Sequence, residues 1–159
     1  MKKFKYYQPI VILILLSGLF SSCDFIAAGS NLMAERYEFE ITQDSLIKKI
    51  TAYNNMNLQD SLFKTGPGNP YFYEGYINDP KNNDIYWILI PVGPDPPTEL
   101  LLISVENKQS GDITPVNSKP KNEEEIGDRK ITIENFKKRI LDNIGLQYKH
   151  SGNAMNKVY

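Results

Sequence analysis

Asp84-Ile-Tyr-Trp-Ile-Leu-Ile90 and Glu99-Leu-Leu-Leu-Ile-Ser-Val105 decide the fold. Both are apolar runs of strand length, rich in β-branched and aromatic residues. Apolar side chains on both faces mark strands from the middle of a sheet, with packing on each side. Between them lies Pro91-Val-Gly-Pro-Asp-Pro-Pro97, too proline-rich for a ladder and stiffened towards polyproline II, which predicts a protruding hairpin loop. Upstream, Tyr71-Phe-Tyr-Glu-Gly-Tyr-Ile77 favours a further strand, and Asn78-Asp-Pro-Lys-Asn-Asn83 turns the chain. The short connections predict antiparallel pairing of 71–77, 84–90 and 99–106.

Outward from this core, Tyr37, Phe39 and Ile41 alternate with Glu38 and Glu40, the period of a half-buried strand. Thr42 caps a helix whose first turn holds Asp44, and Leu46, Ile47, Ile50 and Tyr53 form its apolar face. Lys48 and Lys49 face away, and the helix is expected to end near Asn54-Asn55. Leu58, Leu62 and Phe63 suit a short helical turn before the break at Gly66-Pro-Gly-Asn-Pro70. Residues 107–130 are polar and read as a surface excursion, with Glu123-Glu124-Glu125 solvated. A second helix is expected from Thr132, with Ile133, Phe136, Ile140, Leu141 and Ile144 as its stripe and Gly145 at its C′ stop. Residues 146–159 show no periodicity and read as a C-terminal tail. Ile41-Thr-Gln-Asp-Ser-Leu-Ile-Lys-Lys-Ile50 echoes Ile131-Thr-Ile-Glu-Asn-Phe-Lys-Lys-Arg-Ile140. Shared capping demands account for the echo better than a duplication, because the similarity stops at the flanks. The expected order is β-α-β-β-β-α: an α+β domain over 37–145, a small antiparallel sheet with helices on one face.

The start of the chain has a different character. Lys2, Lys3 and Lys5 precede an apolar run from Ile10 to Phe20, and Ser21 and Ser22 lead to Cys23. Basic end, short apolar core and small-residue cleavage site make a secretory signal. As a helix the apolar run reaches only about 16 Å, against the roughly 30 Å of a membrane core, so it is a signal segment and not a span.

Leu19-Phe20-Ser21-Ser22-Cys23 resembles the lipobox of bacterial lipoproteins, with Phe20 where that family usually has Leu, Val or Ile. The resemblance covers residues 1–23. It implies removal of residues 1–22 and diacylglyceryl attachment at Cys23, the mature first residue. Multiple acyl chains would then hold the protein stably in a bilayer, where a single chain would not. Residues 23–36 would be a lipidated tether, either loose or helical. Extended it would reach about 46–50 Å, and as a helix about 21 Å, so the domain sits near its membrane. Asp24 resembles the inner-membrane retention signal of some bacteria, a rule that differs between lineages. The absence of a run of acids after the cysteine favours the periplasmic face of the outer membrane.

Composition narrows the function classes. Cys23 is the single cysteine, so the domain is stabilised by burial and not by disulfides. The net charge of −1 becomes more negative once the signal lysines are removed, and no basic block remains, which argues against nucleic acid. The one histidine, His150, stands in the unpatterned tail. There is no Cys/His set for zinc, no nucleophile elbow and no phosphate loop, since Gly66-Pro67-Gly68 lacks the lysine and helix start. No cofactor and no catalytic or metal-binding residue is expected, and the chain does not read as an enzyme.

Aromatic density is the one compositional sign of binding. Tyr71, Tyr73, Tyr86 and Trp87 are the candidate binding residues, with Phe72 and Tyr76 in the same two strands. An exposed aromatic face would stack on sugars or hold a protein; under a helix the same rings would be cross-strand core. Two readings follow. One is a membrane-anchored, non-catalytic binding or accessory module for an envelope or secreted protein, with immunity to a toxin as one form. The other is a small glycan- or peptide-binding or hydrolytic lipoprotein. A flat aromatic or acidic sheet face would favour the first, and a deep pocket with two close carboxylates the second.

Overall fold

The computed structural model describes residues 31–57, 64–65, 71–93 and 95–153. The signal, Cys23, most of the tether, the expected helical turn at 58–63, the break at 66–70 and the last six residues lie outside them. The fold is α+β, an antiparallel sheet with helices on one face.

Strand β1 (Glu35–Phe39) leads into helix α1 (Gln43–Asn57). Thr42 accepts the first helical bond, from Leu46 N at 3.0 Å, and its hydroxyl meets Ser45 at 2.9 Å. A short β2 (Lys64–Thr65) precedes the meander β3 (Phe72–Asp79), β4 (Asp84–Pro91) and β5 (Thr98–Asn107). The loop between β4 and β5 includes a cis Pro96–Pro97 bond. Then come β6 (Ile113–Pro115), helix α2 (Glu123–Phe136), a π-helical turn (Lys137–Leu141), a final helical turn α3 (Asp142–Ile144) and β7 (Lys149–Gly152). Gly145 closes this helical run with φ 74, a left-handed position that glycine adopts without steric cost.

The sheet order is β2-β3-β4-β5-β1-β7, with β6 beside the far end of β5. β1 pairs Leu102 to Thr98 of β5, and β6 pairs Ser104 to Glu106, so the two short strands share one edge of the long one. A bulge lies where Trp87 faces Ser104 while Ile88 faces Leu102. The extra residue lets Leu100, Leu102 and Val105 all reach the helical side. There Tyr37, Phe39, Ile77, Tyr86, Ile88 and Ile90 meet Leu46 and Ile50 of α1 and Phe136, Ile140, Leu141 and Ile144 of the last helical run. On the other face Ala34, Leu89 and Leu101 make a smaller cluster with Phe72 and Ile103.

Three expectations are corrected. The second helix starts at Glu123, not Thr132: Asn122 caps it by accepting from Glu125 N at 2.8 Å, and Glu123, Glu124 and Glu125 occupy the turn where the helix dipole favours acids. The excursion at 107–130 therefore holds β6 and most of α2. Residues 149–152 of the tail expected after Gly145 are part of the sheet, since β7 pairs with β1 as an outer strand. The first strand also opens two residues earlier than expected, at Glu35.

Candidate functional site

Strand alternation sorts the aromatic candidates. Tyr86 is 1% exposed on the helical side, its ring 5.1 Å from that of Phe136, and burial pushes its hydroxyl well above the usual tyrosine range. Tyr73 packs against the same core, partly buried. These two rings are core, the cross-strand packing under a helix that the sequence left open beside an exposed face. Tyr71 stands just before β3, 73% exposed, and its carbonyl accepts from Val92 N at 2.8 Å.

Trp87 points the other way and is 40% exposed. Its cross-strand partner is Tyr76, with ring centroids 5.6 Å apart and planes inclined at 58°. The indole N–H donates to Glu106 at 3.2 Å, which fixes the ring against β5. Glu74, exposed, lies on the same face two residues from Tyr76. The outward face of the central strands thus presents an aromatic pair with carboxylates beside it. Of the sequence candidates, Trp87 is here and Tyr71, Tyr73 and Tyr86 are not. Tyr76 replaces them, and its placement follows from the two-residue period of β3.

A second feature escaped sequence reasoning. Glu35 is buried at the start of β1 and receives Arg129 of α2 at 3.1 Å, His150 of β7 at 2.9 Å and Asn153 at 3.4 Å. Arg129 also donates to the carbonyls of Met33 and Ser118, both at 2.9 Å. Burial raises the Glu35 carboxyl, but the donors from His150, Asn153 and Arg129 outweigh it and hold it below 4.5. The His150 ring stacks on Tyr37 with centroids 4.9 Å apart. Glu38, on the opposite face, ties to Ser151 and to Lys149 at 3.1 Å. These bonds join β1, α2 and β7 around one buried carboxylate.

A third feature is a cleft of about 670 Å³ between α1, the β3–β4 turn and the π-helical turn. Tyr53, Asp79, Lys81, Asn82, Lys138, Arg139 and Asn143 line it. Among the described residues no group of three or more His, Cys, Asp or Glu side chains is placed to hold a metal ion. No described helix is long and apolar enough to cross a membrane.

No family model matches the chain, and neither does any curated protein or solved structure.

Proposed function

We propose that this chain is a lipid-anchored lipoprotein of the bacterial cell envelope, a non-catalytic binding or accessory module that meets an envelope or secreted protein. Acylated Cys23 is its link to the bilayer, and the periplasmic face of the outer membrane is its place. The supporting observation is the Tyr76–Trp87 pair on the sheet face turned away from the helices. Rings held in place offer a large contact area at small entropic cost, which is why they concentrate at protein interfaces. The neighbouring Glu74 and Glu106 suit a partner with basic groups around an apolar centre. An immunity-type role belongs to this class. The alternative of a glycan- or peptide-hydrolysing site has less behind it, because the carboxylate of the cleft, Asp79, is engaged by Arg139 and by Asn82.

Two experiments test the reading. A photo-crosslinking residue at Glu74 of the full-length protein in its host should give one discrete adduct, absent when the probe is moved to Lys48 and lost on Trp87→Ala. No adduct, or one indifferent to Trp87→Ala, overturns the partner face. Replacing Cys23 by alanine should abolish labelled palmitate incorporation and membrane fractionation. If both persist, the anchor is wrong.

A further inference from the structure

The cleft beside the π-helical turn carries an unbalanced charge. Lys81 comes from the β3–β4 turn, and Lys138 and Arg139 are successive residues of the π turn. Asp79 is the single acidic residue in the lining. It reaches Arg139 at 3.6 Å, longer than the roughly 2.7–2.9 Å of a close charge-assisted bond. Both Asp79 oxygens are occupied within its own turn: Oδ1 accepts from Lys81 N at 3.1 Å and Oδ2 from the Asn82 amide at 2.6 Å. Among the described residues neither Lys81 nor Lys138 forms an ion pair. Three cations from two elements therefore face one cleft in a chain that is acidic overall.

The surrounding structure holds these groups in position. The Arg139 carbonyl accepts from Tyr53 Oη at 3.2 Å and from the Asn143 amide at 2.7 Å, which ties the widened turn to α1 and to the helical turn after it. π turns interrupt a regular helix at a conformational cost and recur at functional sites. Here the turn places Lys138 and Arg139 on the cleft while Ile140 and Leu141 remain buried.

We propose that this cleft binds a phosphoryl group. Arg139, already beside Asp79 and the Tyr86 hydroxyl, adds its guanidinium charge, and Lys81 and Lys138 supply mobile point charges to the phosphoryl oxygens. The open volume admits a small phosphorylated molecule or the headgroup of a phospholipid, which share this chemistry. The site lies on the helical side of the sheet and is independent of the Trp87 face.

The test is calorimetric titration of the mature full-length protein in neutral detergent micelles. Three probes are compared: glycerol 3-phosphate as monoester, glycerophosphoglycerol as lipid-headgroup diester, and succinate as carboxylate control. Saturable binding is expected for at least one phosphoryl probe, with succinate weaker. Tighter monoester binding identifies a soluble ligand, and tighter diester binding a headgroup. Lys81→Ala and Lys138→Ala should each weaken binding about 3- to 10-fold. Both lysines are exposed and form no ion pair among the described residues, so neither change should move the unfolding temperature. The proposal fails if neither phosphoryl probe binds, if succinate binds equally well, or if both lysine variants bind as the parent does.

Discussion

Glu35 and His150 are 115 residues apart in sequence and 2.9 Å apart in space. With Arg129 on the other carboxylate oxygen at 3.1 Å, that contact joins the first strand, the last strand and α2 at one buried acid.

Removing one member of this group should cost far more than removing a matched pair. Arg129→Met leaves the buried carboxylate with His150 and Asn153 but without its guanidinium, and a loss of about 3–5 kcal/mol is expected. Adding Glu35→Leu to that variant should restore a large part of it, because the desolvation of both ions disappears together. Urea unfolding of the single and double variants measures the coupling, and strictly additive losses would contradict it.

The same acid predicts a pH profile. The folded pKa of Glu35 lies below its ordinary value of 4.5, so its contribution is complete above that value and is lost as pH falls through the folded pKa. Glu38 acts in the same direction through Ser151 and Lys149, although solvent weakens its share. The unfolding midpoint should stay level from neutrality down to about pH 5 and then drop. Glu35→Gln should flatten the drop while lowering the plateau.

Tyr37 gives the opposite expectation. Its ring packs between Phe136, Tyr148 and His150, yet its buried hydroxyl has no hydrogen-bond partner among the described residues. Tyr37→Phe keeps the ring and removes an unsatisfied polar group. Thermal unfolding should show no loss, or a gain of up to about 1 kcal/mol.

Asn54 guards the outer edge of β3. Its amide donates to the Tyr76 carbonyl at 2.8 Å, and its oxygen accepts from Asn78 N at 3.4 Å, the pattern a neighbouring strand would supply. Asn54→Ala leaves both backbone groups without that partner. A loss of about 1–3 kcal/mol is expected by denaturant titration, together with faster amide exchange at Asn78 than in the parent.

Trp87 is the only tryptophan, which makes the proposed partner face self-reporting. Binding across it should shift the indole emission to shorter wavelength, and binding elsewhere should not. Because the side chain is partly exposed, Trp87→Ala should cost the isolated protein no more than about 1 kcal/mol while it removes association.

The central meander, α1 and the Gly145 stop were legible because each is marked by apolar period or by turn chemistry that needs no partner. The parts that stayed hidden depend on contacts remote in sequence. Lys149-His150-Ser151-Gly152 has no apolar alternation, and its place as a strand rests on the β1 ladder and on two glutamates more than a hundred residues away. Helix α2 was hidden for a related reason. Ile126 and Ile131 are 47% and 61% exposed, while Arg129 between them is buried, so its first turns lack an apolar stripe. Tyr73 and Trp87 show the limit for the site: alternation separates the two faces, but only the helices decide which face is covered.

The placement of β1 between β5 and β7 fixes the order in which the body can be finished. A chain that emerges amino end first delivers β1 at once, and that strand waits through the whole of the meander for one neighbour and until β7 for the other. Until then its outer ladder is bare, Glu38 has no Lys149 beside it and Glu35 lacks His150. A chain stopped shortly after Gly145 would keep most of its apolar core and still expose an adhesive edge, already tethered if Cys23 is acylated first. Lys149–Gly152 is thus the latch that turns a sticky intermediate into an inert one.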